Sequence, residues 1–269
     1  MRQESHSHSL ELSVIIPAHD EAARILPTLR SIVDYMESRS RTCEIIVVDD
    51  GSVDDTARIV YAATRETPLI RVVRLPACVG KGAAVRHGMQ RARGRRHLFT
   101  DADGATPITE LDRLEQALAG GASIAIGSRS EASRRPGFRV QARWHRSVLG
   151  AVFNALVRLG GIAGIKDTQC GFKLFERSVS ADLFSVSCIN GYGFDLELLF
   201  VAQQRGYRVA EVPVNWVDQP GSKVHLFRDG LAMLRELWTI RRNAARGVYS
   251  DRLVISPLSP APSSAPLLE

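Results

Sequence analysis

The sequence lacks an apolar segment long enough to cross a bilayer, which takes about 18 to 20 residues. Of its 269 residues 45% are hydrophobic, yet polar residues interrupt every long apolar run. The nearest candidate, Ser147–Ile165, contains Asn154, Arg158 and several glycines, and a charge at the bilayer centre is costly. No membrane-spanning helix is therefore expected. The polar segment Met1–Ser9 also lacks the apolar core of a secretory signal.

Cysteine is scarce, and acidic residues are in the minority. The four cysteines form no CxxC pair and have no zinc-site spacing: they are Cys43, Cys78, Cys170 and Cys188. Free thiols in a reducing cytosol are the simpler interpretation. Lys and Arg together number 35 against 29 for Asp and Glu, a formal charge of +6. This excess favours anionic partners, and nucleic acid, anionic lipid and phosphorylated substrates all remain open on composition alone.

Short apolar segments alternate with longer amphipathic ones from Leu12 to Gly127. The pattern is typical of βαβ units and predicts an α/β fold with a mostly parallel sheet. Strands are predicted at Leu12–Ile16, Glu44–Asp49, Ile70–Leu75, His97–Thr100 and Ser123–Ile126. Helices are predicted at Glu21–Ser38, Asp54–Thr64, Lys81–Arg93 and Pro107–Ala119, with Asp54 and Thr106 as caps of the second and fourth.

The regular alternation of short apolar and longer amphipathic segments ends after Gly127. A helical pattern extends to about Leu159, and a helix, a strand and a final helix are predicted at Phe194–Arg205, Arg208–Val214 and Leu226–Ala245. The far end is rich in Pro, Ser and Ala and cannot form a packed core. We therefore expect one domain over residues 11–250, between disordered tails at residues 1–10 and 251–269.

Polar clusters follow three of the predicted strands at the point where each strand ends. They are Pro17–Glu21 after the first strand, Asp49–Ser52 after the second and Asp101–Asp103 after the fourth. In parallel sheets ligands bind outside the carboxyl ends of the strands. Like charges gathered there repel one another unless a cation or hydrogen-bond donors neutralise them. The arrangement therefore indicates a binding site rather than three solvated loops.

Two carboxylates one residue apart, Asp101 and Asp103, follow the fourth predicted strand. Such a pair can hold Mg²⁺ or Mn²⁺ while leaving positions for diphosphate oxygens. The metal would offset the charge that builds on a departing nucleotide. An acidic turn without a ligand is the alternative for an isolated pair, but the two upstream clusters favour the metal site.

Two further motifs, each of which contains glycine, are less specific indicators of a binding site. One follows the second predicted strand at Asp49, and the other is Gly80–Gly82. Asp54 is explained by a helix cap, which leaves Asp49 and Asp50 available to accept hydrogen bonds from a nucleobase or ribose. The segment Gly80–Gly82, with Lys81 at its centre, precedes a helix, where backbone amides and a cation favour phosphate. Shaping the turn is an equal alternative for its glycines.

Six arginines lie from Arg129 to Arg146, against the single acid Glu131. Arg139, Arg143 and Arg146 are spaced to share one helical face. Guanidinium groups suit phosphate geometry, and basic residues near an anionic bilayer contribute about 1 kcal/mol each. Recognition of an acceptor phosphate and a solvated basic face are both compatible with this stretch. No RNA- or DNA-binding motif supports a nucleic-acid partner.

Five short motifs occur in order along the chain. They are VIIPAHDE at 14–21, VVDDGSVD at 47–54, GKG at 80–82, DAD at 101–103 and GSR at 127–129. The set resembles that of inverting family-2 glycosyltransferases, which have the GT-A fold, a Rossmann-like three-layer α/β/α arrangement. Further segments are similar to the dolichyl-phosphate β-glucosyltransferase and polyprenyl-phosphate glycosyltransferase branch: DTQCGFKLF at 167–175, FDLEL at 194–198, EVPVNW at 211–216 and GSK at 221–223. The resemblance covers about residues 11–240.

The resemblance implies a role for each matching residue. The nucleotide-sugar site would comprise Pro17, Ala18, Glu21, Asp49, Asp50, Gly51, Lys81, Asp101, Ala102 and Asp103, with Mg²⁺ or Mn²⁺ on Asp101 and Asp103. The catalytic residues, bordering donor, sugar and acceptor, would be Asp103, Asp167, Gln169, Asp195 and Glu197. Arg129, together with Arg139 and Arg143, would face the acceptor phosphate. Residues 11–127 would then form the nucleotide-sugar half, and residues 128–250 the half that faces acceptor and membrane.

The implied reaction moves a hexose onto a polyprenyl or dolichyl phosphate in a membrane, with UDP-glucose as the expected donor and GDP-mannose second. The protein would be cytoplasmic and peripheral on the cytoplasmic face of that membrane. Asp20, Cys78 and Val217 depart from the usual family residues, which leaves the donor less defined than the fold. A soluble family-2 enzyme with a non-lipid acceptor and a non-catalytic nucleotide-sugar binding protein are the alternatives.

Overall fold

Seven strands form the central sheet in the computed structural model of the protein, which describes residues 10–141, 162, 164–221 and 226–251. The strands in chain order are β1 Leu12–Ala18, β2 Cys43–Asp49, β3 Ile70–Arg74, β4 Arg96–Thr100, β5 Ile124–Ser128, β7 Phe172–Glu176 and β8 Val209–Pro213; β6 Val140–Gln141 and β9 Trp216–Val217 form a separate pair. The predicted tails, the helical pattern up to Leu159 and most of Ser147–Ile165 lie outside the described residues.

Helices cover both faces of the sheet. In chain order they are α1 Ile25–Ser38, α2 Thr56–Glu66, α3 Lys81–Met89, α4 Leu111–Ala119, α5 Arg129–Ala132, α6 Arg177–Val186, α7 Phe194–Gln204 and α8 Leu226–Ala245, with a 3₁₀ turn at Ile108–Glu110. Successive residues of a strand point to opposite faces. Ile15 of β1 accordingly belongs to the same core cluster as Val85 and Phe194, whereas Val14 belongs to the cluster of Leu29 on the other face.

The sheet is mostly parallel, in the order β3-β2-β1-β4-β7-β5-β8. β1 pairs in parallel with β2 and β4, and β5 pairs in parallel with β8. β7 alone is antiparallel to its neighbours, β4 and β5. The predicted α/β class with a three-layer α/β/α arrangement is confirmed.

Each of the six predicted strands is present, with bounds that differ by two residues or fewer. The first helix, predicted from Glu21, begins at Ile25 because Glu21 to Arg24 form a turn in which the Glu21 carbonyl accepts the amides of Arg24 and Ile25. The cap predicted at Thr106 is wrong. Pro107, with extended backbone, precedes the 3₁₀ turn that leads into α4.

Strand β7 was not predicted, although it is an interior strand of the sheet. Its residues come after the segment 142–161, and they insert between β4 and β5, which are consecutive in sequence. Pairing over such a separation leaves no local signal beyond the apolar character of Phe172 and Leu174. The consequence is that residues 11–127 and 128–250 share one sheet, to which the second half contributes β7 and β8.

None of the helices in the described ranges combines the length and apolar character that crossing a bilayer requires.

Two helical glycines allow a matched test of packing. A Cβ atom on Gly88 of α3 would lie 2.5 Å from Cγ2 of Ile15, whereas no described atom lies within 4 Å of a Cβ atom on Gly230 of α8. Gly88→Ala should therefore lower the free energy of unfolding by about 1–3 kcal/mol through overpacking. Gly230→Ala should raise it by about 0.5–1 kcal/mol through helix propensity. Urea denaturation measures both, and shifts of the same sign would contradict the packing described for α3.

Candidate active site

The predicted polar clusters meet at the carboxyl edge of the sheet, because β2, β1 and β4 are adjacent and parallel. Ala18, the last residue of β1, lies opposite Asp49, the last residue of β2. Asp101 directly follows β4 on the other side of β1. Residues that are more than 80 positions apart in sequence are thus brought to one crevice, as parallel strand ends require.

An ion pair between Lys81 and Asp101 lies at this edge. Nζ of Lys81 is 2.6 Å from Oδ1 of Asp101 and lies 5.3 Å and 5.9 Å from the ring centres of Phe99 and Tyr192. Burial alone would lower the pKa of Lys81, but the negative charge of Asp101 outweighs it, and the pKa is raised. Lys81 is therefore a fixed cation beside the first carboxylate of the DAD motif.

Close packing fixes the position of Asp101. Its backbone N–H donates to the carbonyl oxygen of Gly171 at 3.1 Å, and a Cβ atom built on Gly171 would overlap the Asp101 carboxylate. Any side chain at position 171 would push that carboxylate aside. Glycine at position 171 therefore allows the carboxylate to occupy its observed position.

Asp103 is less tightly held than Asp101. Its Oδ1 accepts the backbone N–H of Ala105 at 3.0 Å, and its Oδ2 lies 3.8 Å from Nη1 of Arg24. Burial, followed by the negative charge of Asp101, raises the pKa of Asp103. With Arg24 it lines a cavity of about 310 Å³. Negative charge at this motif is therefore only partly balanced by the surrounding protein.

The two carboxylates suit a hard divalent cation. Within the described part of the chain, no group of three or more His, Cys, Asp or Glu side chains could hold a metal ion by itself. Mg²⁺ in phosphate-transfer and nucleotide sites often takes one or two carboxylates and completes its shell with waters and substrate phosphates. Asp101 and Asp103 therefore fit a metal that is shared with a diphosphate.

Asp49 and Asp50 hold the neighbouring loops in place. The two oxygens of Asp50 accept the backbone amides of Val79 at 2.8 Å and Gly80 at 2.9 Å. Oδ1 of Asp49 accepts the amide of Ser52 at 3.0 Å. Because a carboxylate has about four lone-pair positions, the predicted contacts with nucleobase or ribose would use those that remain.

Two of the three backbone amides of the GKG motif, those of Gly80 and Gly82, are already occupied. The amide of Gly80 donates to Asp50, and the amides of Gly82 and Ala83 donate to the carbonyl oxygen of Asn190 at 2.7 Å and 3.3 Å. These engaged amides are therefore not free to bind a phosphate, which favours the alternative that the glycines shape the turn. A cation at this motif also favours phosphate, and the Lys81 ammonium still meets that expectation.

The segment after β1 is organised by an ion pair. Glu21 receives two hydrogen bonds from Arg24, at 2.7 Å from Nε and 2.6 Å from Nη2. Arg24 also donates from Nη1 to the carbonyl oxygen of Pro220 at 3.1 Å. Pro17 and Ala18, at the end of β1, are both buried. Of these predicted nucleotide-site residues, Glu21 is thus linked through Arg24 to the DAD motif.

Gly51 and Ala102 contribute through the backbone. Gly51 has a φ of +63°, and a Cβ atom there would lie 2.5 Å from the carbonyl carbon of Ala77. The carbonyl oxygen of Ala102 accepts a hydrogen bond from Oγ1 of Thr28 at 2.9 Å. Gly51 therefore allows the loops after β2 and β3 to pack together, and Thr28 fixes the centre of the DAD motif.

Arg129 is bound by Asp167. Its Nε and Nη2 each lie 2.7 Å from a different oxygen of that carboxylate, and its backbone N–H donates to Oδ2 at 2.8 Å. Burial alone would raise the pKa of Asp167, but the Arg129 guanidinium outweighs it and holds the pKa low. A phosphate contact for Arg129 would have to use its remaining N–H groups.

A second buried ion pair joins β7 to α7. Nζ of Lys173 is 2.6 Å from Oδ1 of Asp195, with side-chain exposures of 1% and 4%. Burial raises the pKa of Asp195, and the nearby cations Lys173 and Lys81 oppose it without cancelling it. Nε2 of Gln169 is buried without a hydrogen-bond partner among the described residues. The described residues leave this donor without an acceptor, which is compatible with the predicted contact to the sugar.

Glu197 does not join the other predicted catalytic residues. Its carboxylate accepts the amides of Cys188 and Ile189 at 3.0 Å and the hydroxyl of Tyr249 at 2.8 Å, and it is fully buried. Positions two apart on a helix differ by about 200° around its axis. Glu197 therefore lies on a different side of α7 from Asp195 and binds the loop at Cys188 and Ile189. This contact replaces the predicted contact of Glu197 with the sugar.

Of the predicted acceptor arginines, Arg139 is exposed and lies beside β6. Its backbone pairs with Asn215 and Trp216, through N–H to Oδ1 at 2.7 Å and carbonyl oxygen to N–H at 2.9 Å. The ring of Trp216 is 5.3 Å from the Arg129 guanidinium, so the two arginines share a neighbour. Arg143 and Arg146 lie outside the described residues.

Comparison with known proteins identifies the family of this site. Residues 13–184 match Glycosyl transferase family 2. The chain belongs to that family. Dolichyl-phosphate beta-glucosyltransferase from Drosophila melanogaster is 40% identical over 248 residues, covering 87% of this chain and 75% of the relative. A protein of the same name from Trichomonas vaginalis is 39% identical over 256 residues, covering 86% and 74%.

The fold of this family-2 glycosyltransferase also has a solved counterpart. Glucosyl-3-phosphoglycerate synthase from Mycobacterium tuberculosis, in complex with Mn²⁺, uridine-diphosphate-glucose and phosphoglyceric acid, has a TM-score of 0.57. The two share 22% identity over 86% of this chain and 78% of that one. At this level the likeness concerns the fold, and it confirms the predicted GT-A arrangement.

Several residues that organise the site of this glycosyltransferase were not singled out from the sequence. Gly171 and Lys173 lie inside the recognised DTQCGFKLF segment, where an isolated lysine in an apolar strand is a usable signal of a buried ion pair. Arg24 and Asn190 carry no comparable signal. Their importance follows from contacts with Asp103 and the GKG helix, over separations that sequence spacing does not reveal.

Gly171→Ala tests whether Asp101 must occupy its observed position. The added methyl group should displace the carboxylate from Lys81 and lower transferase activity about 100-fold, the effect of an error of about 1 Å in catalytic geometry. Gly120→Ala is the matched control, because its Cβ atom would meet nothing closer than 3.4 Å. Initial rates measured on folded protein decide the result. Near-normal activity of Gly171→Ala would show that the Lys81–Asp101 geometry is dispensable.

Proposed function

We propose that this glycosyltransferase transfers glucose from UDP-glucose to the phosphate of a dolichyl or related polyprenyl phosphate. The product is a β-linked glucosyl phosphate lipid, formed with inversion at the anomeric carbon. The observation that carries the proposal is the similarity to dolichyl-phosphate beta-glucosyltransferases, at 39–40% identity over 86–87% of the chain. The family-2 match over residues 13–184 includes the edge of the sheet where Lys81, Asp101 and Asp103 lie.

The proposed reaction is a direct displacement. An oxygen of the acceptor phosphate attacks the anomeric carbon, and the bond from that carbon to the nucleoside diphosphate breaks, with the electron pair leaving on UDP. A phosphate monoester has a second pKa near ~6. The nucleophile is therefore mostly dianionic at neutral pH and requires no strong general base. Catalysis depends instead on aligning two anionic substrates and on stabilising the leaving diphosphate.

The described residues divide these tasks. Lys81 offers a positive charge beside the donor diphosphate, and Asp101 and Asp103 are the residues that would hold Mg²⁺ or Mn²⁺. When bound there, the metal supplies Lewis-acid stabilisation of the leaving group. Asp195 and the free donor of Gln169 orient sugar hydroxyls. The nucleobase and ribose contact the loops after β1 and β2, through lone pairs that Asp50 does not use for the loop amides.

The acceptor is placed by the basic stretch that contains Arg139 and Arg143. Positive charge there offsets repulsion between acceptor phosphate and donor diphosphate. We propose a peripheral location on the cytoplasmic face of a membrane, since the acceptor is a lipid. The last helix supports this location with Trp238, which is 64% exposed and has the Arg242 guanidinium 5.0 Å from its ring. Aromatic and basic side chains suit the interface of an anionic bilayer.

A screen of labelled nucleotide sugars tests the function. Purified protein is incubated with each donor, polyprenyl phosphate and Mg²⁺ or Mn²⁺, and label in the organic phase is counted. We expect label from UDP-glucose, and none with Asp103→Ala, since Asp103 is the less engaged carboxylate of the DAD motif. Asp34→Ala, an exposed acid on α1, is the control and should remain active.

The pattern of label distinguishes the alternatives. Label that stays in water on a small acceptor would favour a soluble family-2 enzyme, and label from GDP-mannose would revise the donor. Absence of any transfer, together with tight nucleotide binding, would leave a non-catalytic binding protein. Undiminished activity in excess chelator would remove the metal from the proposal.

Asp195→Asn separates an orienting role from that of a general base. If the acceptor dianion is the nucleophile, the rate should fall as pH drops below ~6, because protonation removes the reactive charge. The variant should be slower at every pH but keep that acidic limb at the same position. Rates between pH 5 and 8, with circular dichroism to monitor folding, give the comparison. Loss of the limb in the variant would instead assign the titration to Asp195.

A further inference from the structure

Glu236 of the last helix, α8, contacts the turn that precedes α7. Oε2 of Glu236 accepts the backbone N–H of Gly193 at 2.7 Å. Gly193 immediately precedes α7, so Glu236 places a carboxylate at the amino-terminal end of that helix. Hydrogen bonds to a charged acceptor contribute more than neutral ones, and negative charge is favourable at this end of a helix.

The turn 191–193 is shaped to receive Glu236. A Cβ atom on Gly191 would overlap Oε1 of Glu236, and one on Gly193 would lie 2.6 Å from Oε2 and 2.9 Å from Cβ of the same residue. Neither glycine has a positive φ. The absence of a side chain at both positions is therefore explained by the space that Glu236 occupies, and not by backbone conformation.

The same turn forms one wall around Lys81. Tyr192, between the two glycines, has its ring centre 5.9 Å from Nζ of Lys81. The carbonyl oxygen of Asn190 accepts the amides of Gly82 and Ala83 at the start of α3. The turn thus lies beside Lys81 through the Tyr192 ring, and Asn190, the residue before the turn, binds the backbone that follows Lys81. Displacing the turn would move the cation that pairs with Asp101.

We propose that Glu236 is a positioning residue for the donor: by holding the turn 191–193 it sets Lys81 and Tyr192 against the diphosphate of the nucleotide sugar. The inference rests on the proposed function, because it takes Lys81 to face that diphosphate. It assigns the last helix a part in donor binding. The effect is local to the donor side, because the turn contacts the GKG helix, whereas Arg139 pairs with Asn215 and Trp216.

Three variants test the contact from both sides. Glu236→Ala should raise KM for UDP-glucose about tenfold, the effect of losing a hydrogen bond to a charged group, and leave KM for polyprenyl phosphate unchanged. Glu236→Gln, which keeps one acceptor oxygen, should restore part of the loss. Gly191→Ala should reproduce Glu236→Ala, because its methyl group expels the carboxylate. Arg235→Ala, an exposed neighbour on α8, is the matched control.

The double variant Gly191→Ala with Glu236→Ala gives the sharpest result. With the carboxylate gone, the methyl group has nothing to displace, so the double variant should be no worse than either single one, and the effects should be strongly non-additive. Additive effects, or equal increases in both KM values, would overturn the inference. If Glu236→Ala fails to fold, Glu236→Gln and Gly191→Ala still provide the comparison.

Calorimetric titration with UDP-glucose and Mn²⁺, without lipid, separates this inference from the proposed function. Weaker binding by Glu236→Ala than by the wild-type protein supports the inference. Equal binding by the two proteins overturns it and leaves the proposed function standing. No binding by the wild-type protein overturns the proposed function, and with it the role given to Glu236.

Discussion

Asp101 stands directly after β4 with its carboxylate between the Lys81 ammonium, 2.6 Å away, and the bare Cα of Gly171. The contact with Lys81 partly neutralises the Asp101 carboxylate, and the close approach of Gly171 fixes where that carboxylate lies. The two partners are far apart in sequence: Lys81 is the first residue of α3, and Gly171 immediately precedes β7. The insertion of β7 beside β4 therefore does more than complete the sheet, because it holds the DAD motif against the crevice.

Two ion pairs near the crevice differ in how exposed their side chains are. Lys81 and Asp101 are 25% and 34% exposed, whereas Lys173 and Asp195 are nearly inaccessible. Buried ion pairs are not an efficient source of stability, so we interpret the deeper pair as a means of orienting Asp195. The outer carboxylates keep partly unbalanced charge, which the proposed divalent cation, shared with a diphosphate, would offset.

The loops around the crevice hold one another through hydrogen bonds from backbone amides to side-chain carboxylates and to a backbone carbonyl oxygen. Asp50 binds the amides before the GKG helix, Asn190 binds those inside it, and Glu236 binds the turn that contains Asn190's neighbours. Each partner belongs to a different element. Such interlocking keeps the crevice rigid, and alignment of the substrates is the main catalytic requirement of the reaction proposed above.

Strands β1 to β5, the clusters at their carboxyl ends and the ordered family motifs could all be predicted from the sequence, because alternation, turn chemistry and motif spacing are local properties. The insertion of β7, the use of the GKG amides by Asn190 and the turning of Glu197 away from Asp195 could not. Each depends on which residue folds alongside, as with Glu236 and Gly193, 43 positions apart. The sequence by itself thus determined which chemical groups are present and near which strand ends they stand. Only the tertiary structure decided which of them remain available to a substrate, because a buried polar group takes whatever partner the packing brings within hydrogen-bonding distance.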